Sequence, residues 1–203
     1  MTDEARAIRE FWFGALPLTP AALSERMGFW FGEPGAPQDE AIRTRFGALV
    51  ERAVAGELAS WGGGPRRRLS LILLLDQFPR NVFRGTPRAF AGDERALALT
   101  LSGMQCAADA ALDPVERLFF YMPLQHAESL EAQDEALAAY RRLLAEVPAE
   151  FHETFSDTLR AAEQHRAIIE RFGRFPHRNL VLGRGSTAAE EQWLRENGNH
   201  FGQ

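Results

Sequence analysis

The sequence predicts an all-α protein of about eight helices, a bundle of antiparallel helix pairs. Apolar residues recur at three- and four-residue spacing along most of the chain, so single stripes face a core. Polar capping residues followed by proline or glutamate stand at the heads of several such stretches. No run alternates apolar and polar residues between turn signals, as a hairpin would. With 203 residues, 45% of them apolar and 25% charged, the chain is long enough to bury a sizeable core without disulfides or metals. One domain over residues 1–203 is expected.

The elements follow in chain order. The opening MTDEARAIRE is acidic and lacks the basic-then-apolar order of a secretory signal. FWFG occurs at 11–14 and again at 29–32; packing of aromatic helix ends accounts for it better than a membrane interface, because its neighbours are acidic. Thr19-Pro20 marks a helix start. Gly62, Gly63, Gly64 and Pro65 form the clearest loop, too short for a domain boundary. LILLL at 71–75 is apolar on every face, which calls for a central, surrounded helix. A strand is the rival for so short a run, but no partner strand is visible. Pro79 is expected to end that helix. Helical spacing returns over 93–110, 115–128 and 131–146, with Asp113-Pro114 and Glu116 capping the second, and Pro123 should kink it. From Phe151 the series Phe155, Leu159, Ala162, Ile169, Phe172 lays a stripe along a helix ending near Gly173. Thr187 with Glu190 starts the last helix. Cys106, the one cysteine, reads as a buried structural thiol.

Charge narrows the function classes. Net charge is −5, and all 23 basic residues are arginine. Without lysine there is no Schiff-base chemistry, lysine nucleophile or phosphate-loop motif. Residues 65–88 carry six arginines against one aspartate, and residues 160–184 six against two glutamates. An acidic chain with two local cationic segments is a poor general nucleic-acid binder, since affinity for the backbone scales with the cations that reach it. A small anion suits it better. The longest purely aliphatic run is far too short to cross a bilayer, and the cytoplasm is the expected compartment.

Three segments place polar side chains where apolar ones are expected. In the first, Asp76 falls on the stripe of Leu69, Ile72 and Leu73 and needs a cation or several donors; Gln77, Arg80 and Asn81 follow it. In the second, FFYMPLQHAES (119–129), His126 lies on the apolar face with Glu128 to its side. In the third, His165 interrupts the buried stripe, while Arg166 and Glu170 share an adjoining face and can pair. His177, Arg178 and Asn179 then occupy an extended segment whose Phe175 is kept out of the helical region by Pro176. Each cluster alone reads as a helix-end salt bridge or a satisfied core histidine. Together they read as one polar site. Two echoes accompany them: FPRN at 78–81 and FPHRN at 175–179, with no fixed period that would establish a repeat.

LILLLDQFPRNVFRGTPRAF, FFYMPLQHAES and HRAIIERFGRFPHRN, in that order, resemble a bacterial family known as domain of unknown function 924, over nearly the whole chain. The resemblance implies an all-helical fold similar to tetratricopeptide repeat proteins, with no established activity, cofactor or catalytic residue to carry over. The chain departs from the family in the Gly- and Pro-rich GEPGAPQDE, where relatives have a polar, Lys- and Asp-containing stretch before a helix at about 38–55.

The function expected from these residues is binding of a small phosphate- or carboxylate-bearing ligand by Arg80, Arg166 and Arg178, with Gln77, Asn81, His177 and Asn179 nearby. His126 or His165, polarised by Asp76 or Glu128, would move a proton in a hydrolase-type reaction. No cofactor is expected. Nor is a metal site, because no histidine pair has the four-residue helical spacing of HExxH. The alternative is a non-catalytic, tetratricopeptide-like scaffold that grips a peptide.

Overall fold

The computed structural model describes residues 3–32 and 37–197. Among them are ten α-helical segments and five short 3-10 turns. The helices are α1 (Asp3–Phe13), α2 (Pro20–Trp30), α3 (Pro37–Ala55), α4 (Pro65–Leu75), α5 (Gln77–Val82), α6 (Asp93–Gln105), α7 (Pro114–His126), α8 (Leu130–Glu146), α9 (His152–Phe172) and α10 (Ala188–Asn197). No strand occurs among the described residues. The middle of the divergent GEPGAPQDE stretch, residues 33–36, lies outside them.

The start signals act as their residue types dictate. Thr19 accepts from Ala22 N at the head of α2. Asp113 and Glu116 form a reciprocal capping box on α7, and Thr187 and Glu190 do the same for α10. Each such cap supplies partners to amide groups that a helix start leaves without one, about 1 kcal/mol per cap. Gly173 ends α9 in the left-handed conformation, φ 70°, with its N–H donating to Ile169 O at 2.7 Å. That conformation suits a residue without Cβ.

The all-apolar α4 is central, as its composition requires. It packs against α1, α3, α5, α6 and α7, and every residue from Leu69 to Leu75 is buried. Burying each of these leucines contributes about 1.5–3 kcal/mol. Ser70, the one polar member of that run, donates to Ala5 O at 2.7 Å. α7, α8 and α9 pack in succession beside it, joined by short connections, the arrangement of antiparallel neighbours. The two FWFG segments meet at the ends of α1 and α2. Trp30 donates to Trp12 O at 2.9 Å, and Phe11 and Phe29 lie edge to face at 5.6 Å.

Several local expectations are corrected. The break after the aliphatic run falls at Asp76, not at Pro79, which sits inside the first turn of α5, where its missing N–H costs nothing. The helix expected over 93–110 stops at Gln105, because Ala107 adopts φ 54°; an alanine in that conformation gives no signal in sequence. α7, which contains Pro123, ends at His126 and not at 128; around that proline buried hydroxyls serve neighbouring carbonyls, Tyr140 donating to Leu118 O (3.1 Å) and Thr100 to Phe120 O (2.9 Å). Glu128 thus lies beyond the helix. His177 and Arg178 belong to a 3-10 turn, Pro176–Arg178, rather than an extended segment. Cys106 is exposed, so it is not a core thiol.

Candidate functional site

A cleft of about 440 Å³ opens where the end of α2, one face of α5, the C-terminal turn of α7, the middle of α9 and the 3-10 turn after it come together. Its cationic and imidazole lining is Arg80, Arg84, His126, His165, His177 and Arg178; Gln77, Asn81, Gln125 and Gln164 add amides, and Trp30, Phe31 and Met122 an apolar wall. No carboxylate is among the described residues that line it. Asp76, Asp93 and Asp39 stand behind the lining, each tied to one or more of its members.

Asp76 has no solvent exposure. At the break between α4 and α5 its Oδ1 lies 2.6 Å from His126 Nδ1 and 3.2 Å from an Arg80 nitrogen, and Gln77 donates to Oδ2. Burial alone would raise this carboxyl, but His126 and Arg80, with hydrogen bonds from His126 and Gln77, outweigh it and hold Asp76 below the usual carboxylate range. Burial likewise lowers His126 against the pull of Asp76. At neutral pH the pair is therefore carboxylate and neutral imidazole, with Nδ1–H donating to Asp76. This leaves the lone pair on Nε2, the geometry of a base held by an orienting carboxylate.

Arg80 and Arg178 meet at Asp93, the first residue of α6. Arg80 donates to both Asp93 oxygens, at 2.9 and 3.0 Å, and to Asp76 O. Arg178 reaches Asp93 through one longer contact of 3.4 Å and lies over the rings of Phe90 (4.8 Å) and Phe175 (4.5 Å). The two arginines are the equivalent residues of the FPRN and FPHRN echoes, so the echo marks two short segments that deliver one guanidinium each to one carboxylate. Only 5% of Arg178 is exposed. Burial, then repulsion from Arg80, lowers its pKa to about 10 in spite of Asp93. The two guanidiniums are matched in number by two carboxylates, Asp76 and Asp93, but Arg80 takes the short contacts to both and leaves Arg178 the long one.

Gly92 makes that meeting possible. A Cβ there would strike the carbonyl oxygen of Leu75 and lie 2.8 Å from its Cα, so only glycine lets the start of α6 press against the α4–α5 break and bring Asp93 to the arginines.

His165 and His177 complete the imidazole side. His165 Nδ1 lies 2.8 Å from Ala161 O, an atom that can only accept, so Nδ1 carries the proton. Burial lowers His165 to about 3 and His177 to about 4, with neighbouring Arg178 adding to the second. The His126 and His165 rings are 6.3 Å apart between centroids. Among the described residues no group of three or more His, Cys, Asp or Glu side chains is placed to hold a metal ion.

Of the residues singled out in sequence, Gln77, Arg80, Asn81, His126, His165, His177 and Arg178 line one cleft, with Asp76 directly behind. Arg166, Glu128 and Asn179 do not line it. Arg166 lies on an outer face of α9, paired with Asp134 at 2.5 Å and Glu170 at 3.0 Å. Glu128 accepts from Phe175 N at 2.8 Å and takes a forked bond from Arg184, at 2.7 and 3.0 Å. It clasps the post-α9 loop to the end of α7. Asn179 is buried and donates to Ser186 at 3.1 Å, bracing the same loop. Asp93, Gly92 and the Trp30–Phe31 wall were not found in sequence. Asp93 has the signature of an ordinary acidic helix start, and nothing local marks Gly92.

The family described as "Bacterial protein of unknown function (DUF924)" matches residues 8–198. The chain belongs to this family. A solved structure of a protein of unknown function from Agrobacterium tumefaciens is 35% identical, with a TM-score of 0.78, over 95% of this chain and 97% of that one. The bundle seen here is thus shared with that protein. No curated protein matches the chain. No helix among the described residues is long and apolar enough to cross a membrane.

Proposed function

We propose that the cleft binds a small anionic ligand through a phosphate or carboxylate group, and that His126, oriented by Asp76, handles a proton in a hydrolase-type reaction on it. The observation that carries the reading is the weak hydrogen bonding of Arg178: a buried guanidinium in the wall of a cleft lined by no carboxylate, reaching its ion-pair partner, Asp93, through a 3.4 Å contact while Arg80 holds the same carboxylate more closely. Arg178 Nε has no hydrogen-bond partner among the described residues. A ligand oxyanion would supply the close acceptors that Arg178 lacks there.

The described lining contains no serine, threonine or cysteine, and with His126 as the base the nucleophile in this reading is water. Its oxygen adds to the phosphorus or acyl carbon as its proton passes to His126 Nε2, and the same proton then goes to the departing oxygen. A scaffold gripping the terminal carboxylate of a peptide would use the same arginines. The buried Asp76–His126 pair favours the small-molecule reading, because proton handling is something a grip does not need. The cytoplasm is the compartment in which we place this activity.

The test is a thermal-shift panel of orthophosphate, pyrophosphate and small carboxylates, with turnover of p-nitrophenyl phosphate and p-nitrophenyl acetate. Stabilisation by at least one anion that disappears in Arg178→Ala, and turnover that disappears in His126→Gln while the shift persists, is expected. Absence of any shift across the panel would remove the ligand reading.

A further inference from the structure

The cleft is two-sided, and its second side narrows the ligand class. Opposite in character to the arginines and imidazoles, Trp30, Phe31 and Met122 contribute apolar surface to the same cavity. Trp30 and Met122 are buried, but Phe31 is 55% exposed. Large apolar side chains so exposed are few here: only Leu180 shows more of itself among the described residues. Phe31 is also held in a defined attitude, parallel to the buried Phe119 with 7° between the ring planes and 6.3 Å between centroids, and it caps the C-terminus of α2, donating its N–H to Met27 O. A half-exposed aromatic ring packed parallel to a buried one, in the wall of a cleft whose other wall is cationic, suits a stacking platform better than a stray surface residue.

From this we infer that the ligand is an anion bearing a planar or aromatic group: the oxyanion faces Arg80 and Arg178 while the ring lies against Phe31, Trp30 and Met122. The inference rests on the anion-binding reading and deepens it. Size agrees, since 440 Å³ falls within the range of about 300–1,000 Å³ typical of pockets for whole small molecules, and a bare oxyanion would leave the apolar wall wet. Gln125 adds a polar point between the two sides. It is 6% exposed, and its side-chain amide lies 3.3 Å from His165 Nδ1.

Matched probes that cannot be hydrolysed separate the two claims. Calorimetric titration compares phenylphosphonate with methylphosphonate, and benzoate with acetate, on wild type, Phe31→Ala, Phe31→Tyr and Arg178→Ala. In whichever pair binds, the aryl member should bind at least tenfold more tightly. Phe31→Ala should erase most of that preference while leaving the affinity for the methyl member unchanged, Phe31→Tyr should keep it, and Arg178→Ala should weaken both members. Equal affinities within a pair, or a preference that survives Phe31→Ala, overturn the inference and leave anion binding intact. Failure of all four probes on wild type overturns both. Phe31 is half exposed, so its variants should fold, which far-UV circular dichroism and melting temperature will check.

Discussion

Asp76 Oδ1 lies 2.6 Å from His126 Nδ1 across fifty residues of sequence, and the carboxylate is wholly buried. The contact joins the break between α4 and α5 to the last residue of α7, so it fixes both the fold and the orientation of that imidazole. Replacing Asp76 by Asn leaves His126 and Arg80 without its charge. Breaking a buried pair of this kind costs about 3 kcal/mol or more. We expect a loss of that order in urea denaturation, together with a further fall in the His126 pKa measured by NMR, since Asp76 is what holds it up.

The histidines predict the pH dependence of stability. His165 and His177 titrate at about 3 and about 4 when folded, below the 6.5 of a free imidazole. Between pH 6.5 and about 4 the unfolded chain therefore binds more protons than the folded one, and stability rises with pH across that window. The contribution is complete above 6.5 and is lost as pH falls. Each such site contributes a slope of up to about 1.4 kcal/mol per pH unit. Denaturation at pH 7.5, 6.5, 5.5 and 5.0 should show a progressive loss below 6.5, flattened in His177→Gln. Constant stability across the range would contradict the assigned neutral state.

Gly92→Ala tests the close approach that brings Asp93 to the arginines. The added methyl meets the backbone of Leu75, which has no rotamer to move, so α6 must shift. A loss of about 1–3 kcal/mol is expected, as for overpacking in a tight core, with weaker anion binding because Asp93 no longer holds Arg80 and Arg178 together. A thermal melt and one phosphate titration measure both.

Arg166 and Glu128 provide a contrast. Arg166 pairs on an outer face with Asp134 and Glu170, and Arg166→Ala should leave ligand affinity and melting temperature unchanged within error. Glu128→Gln, by contrast, weakens the clasp on Phe175 N and Arg184. It should destabilise by about 1–3 kcal/mol and lower affinity by loosening the turn that carries His177 and Arg178, while leaving the pH dependence of any turnover in place. A change in that pH dependence would make Glu128 more than a positioning residue.

How far the sequence was legible follows from the range of each signal. Caps, the glycine stop of α9 and the all-round apolar α4 are local, and residues such as Thr19, Asp113 and Gly173 announce them directly. Asp76 and His165 were legible because a charge or an imidazole on an apolar stripe must be answered by something inside. Arg166 and Glu128 share that vocabulary but face outward or lie past the helix end, a difference of some 100° of helix rotation or a few residues of helix length that spacing alone does not resolve. Asp93 and Gly92 were silent because their role exists only where α6 meets the α4–α5 break. Ala107 ended a helix early in a conformation that its residue type does not advertise.

The binding constant of Arg178→Ala for inorganic phosphate, beside those of wild type and Arg166→Ala, tests the account most directly. Loss of a charge-assisted bond to a buried anion corresponds to about 2 kcal/mol, or roughly thirtyfold in affinity. Wild type and Arg166→Ala should bind alike, with Arg178→Ala weaker by that factor or more. Equal affinity in all three proteins, or a loss that follows Arg166 instead, would contradict the assignment of this cleft as the anion site.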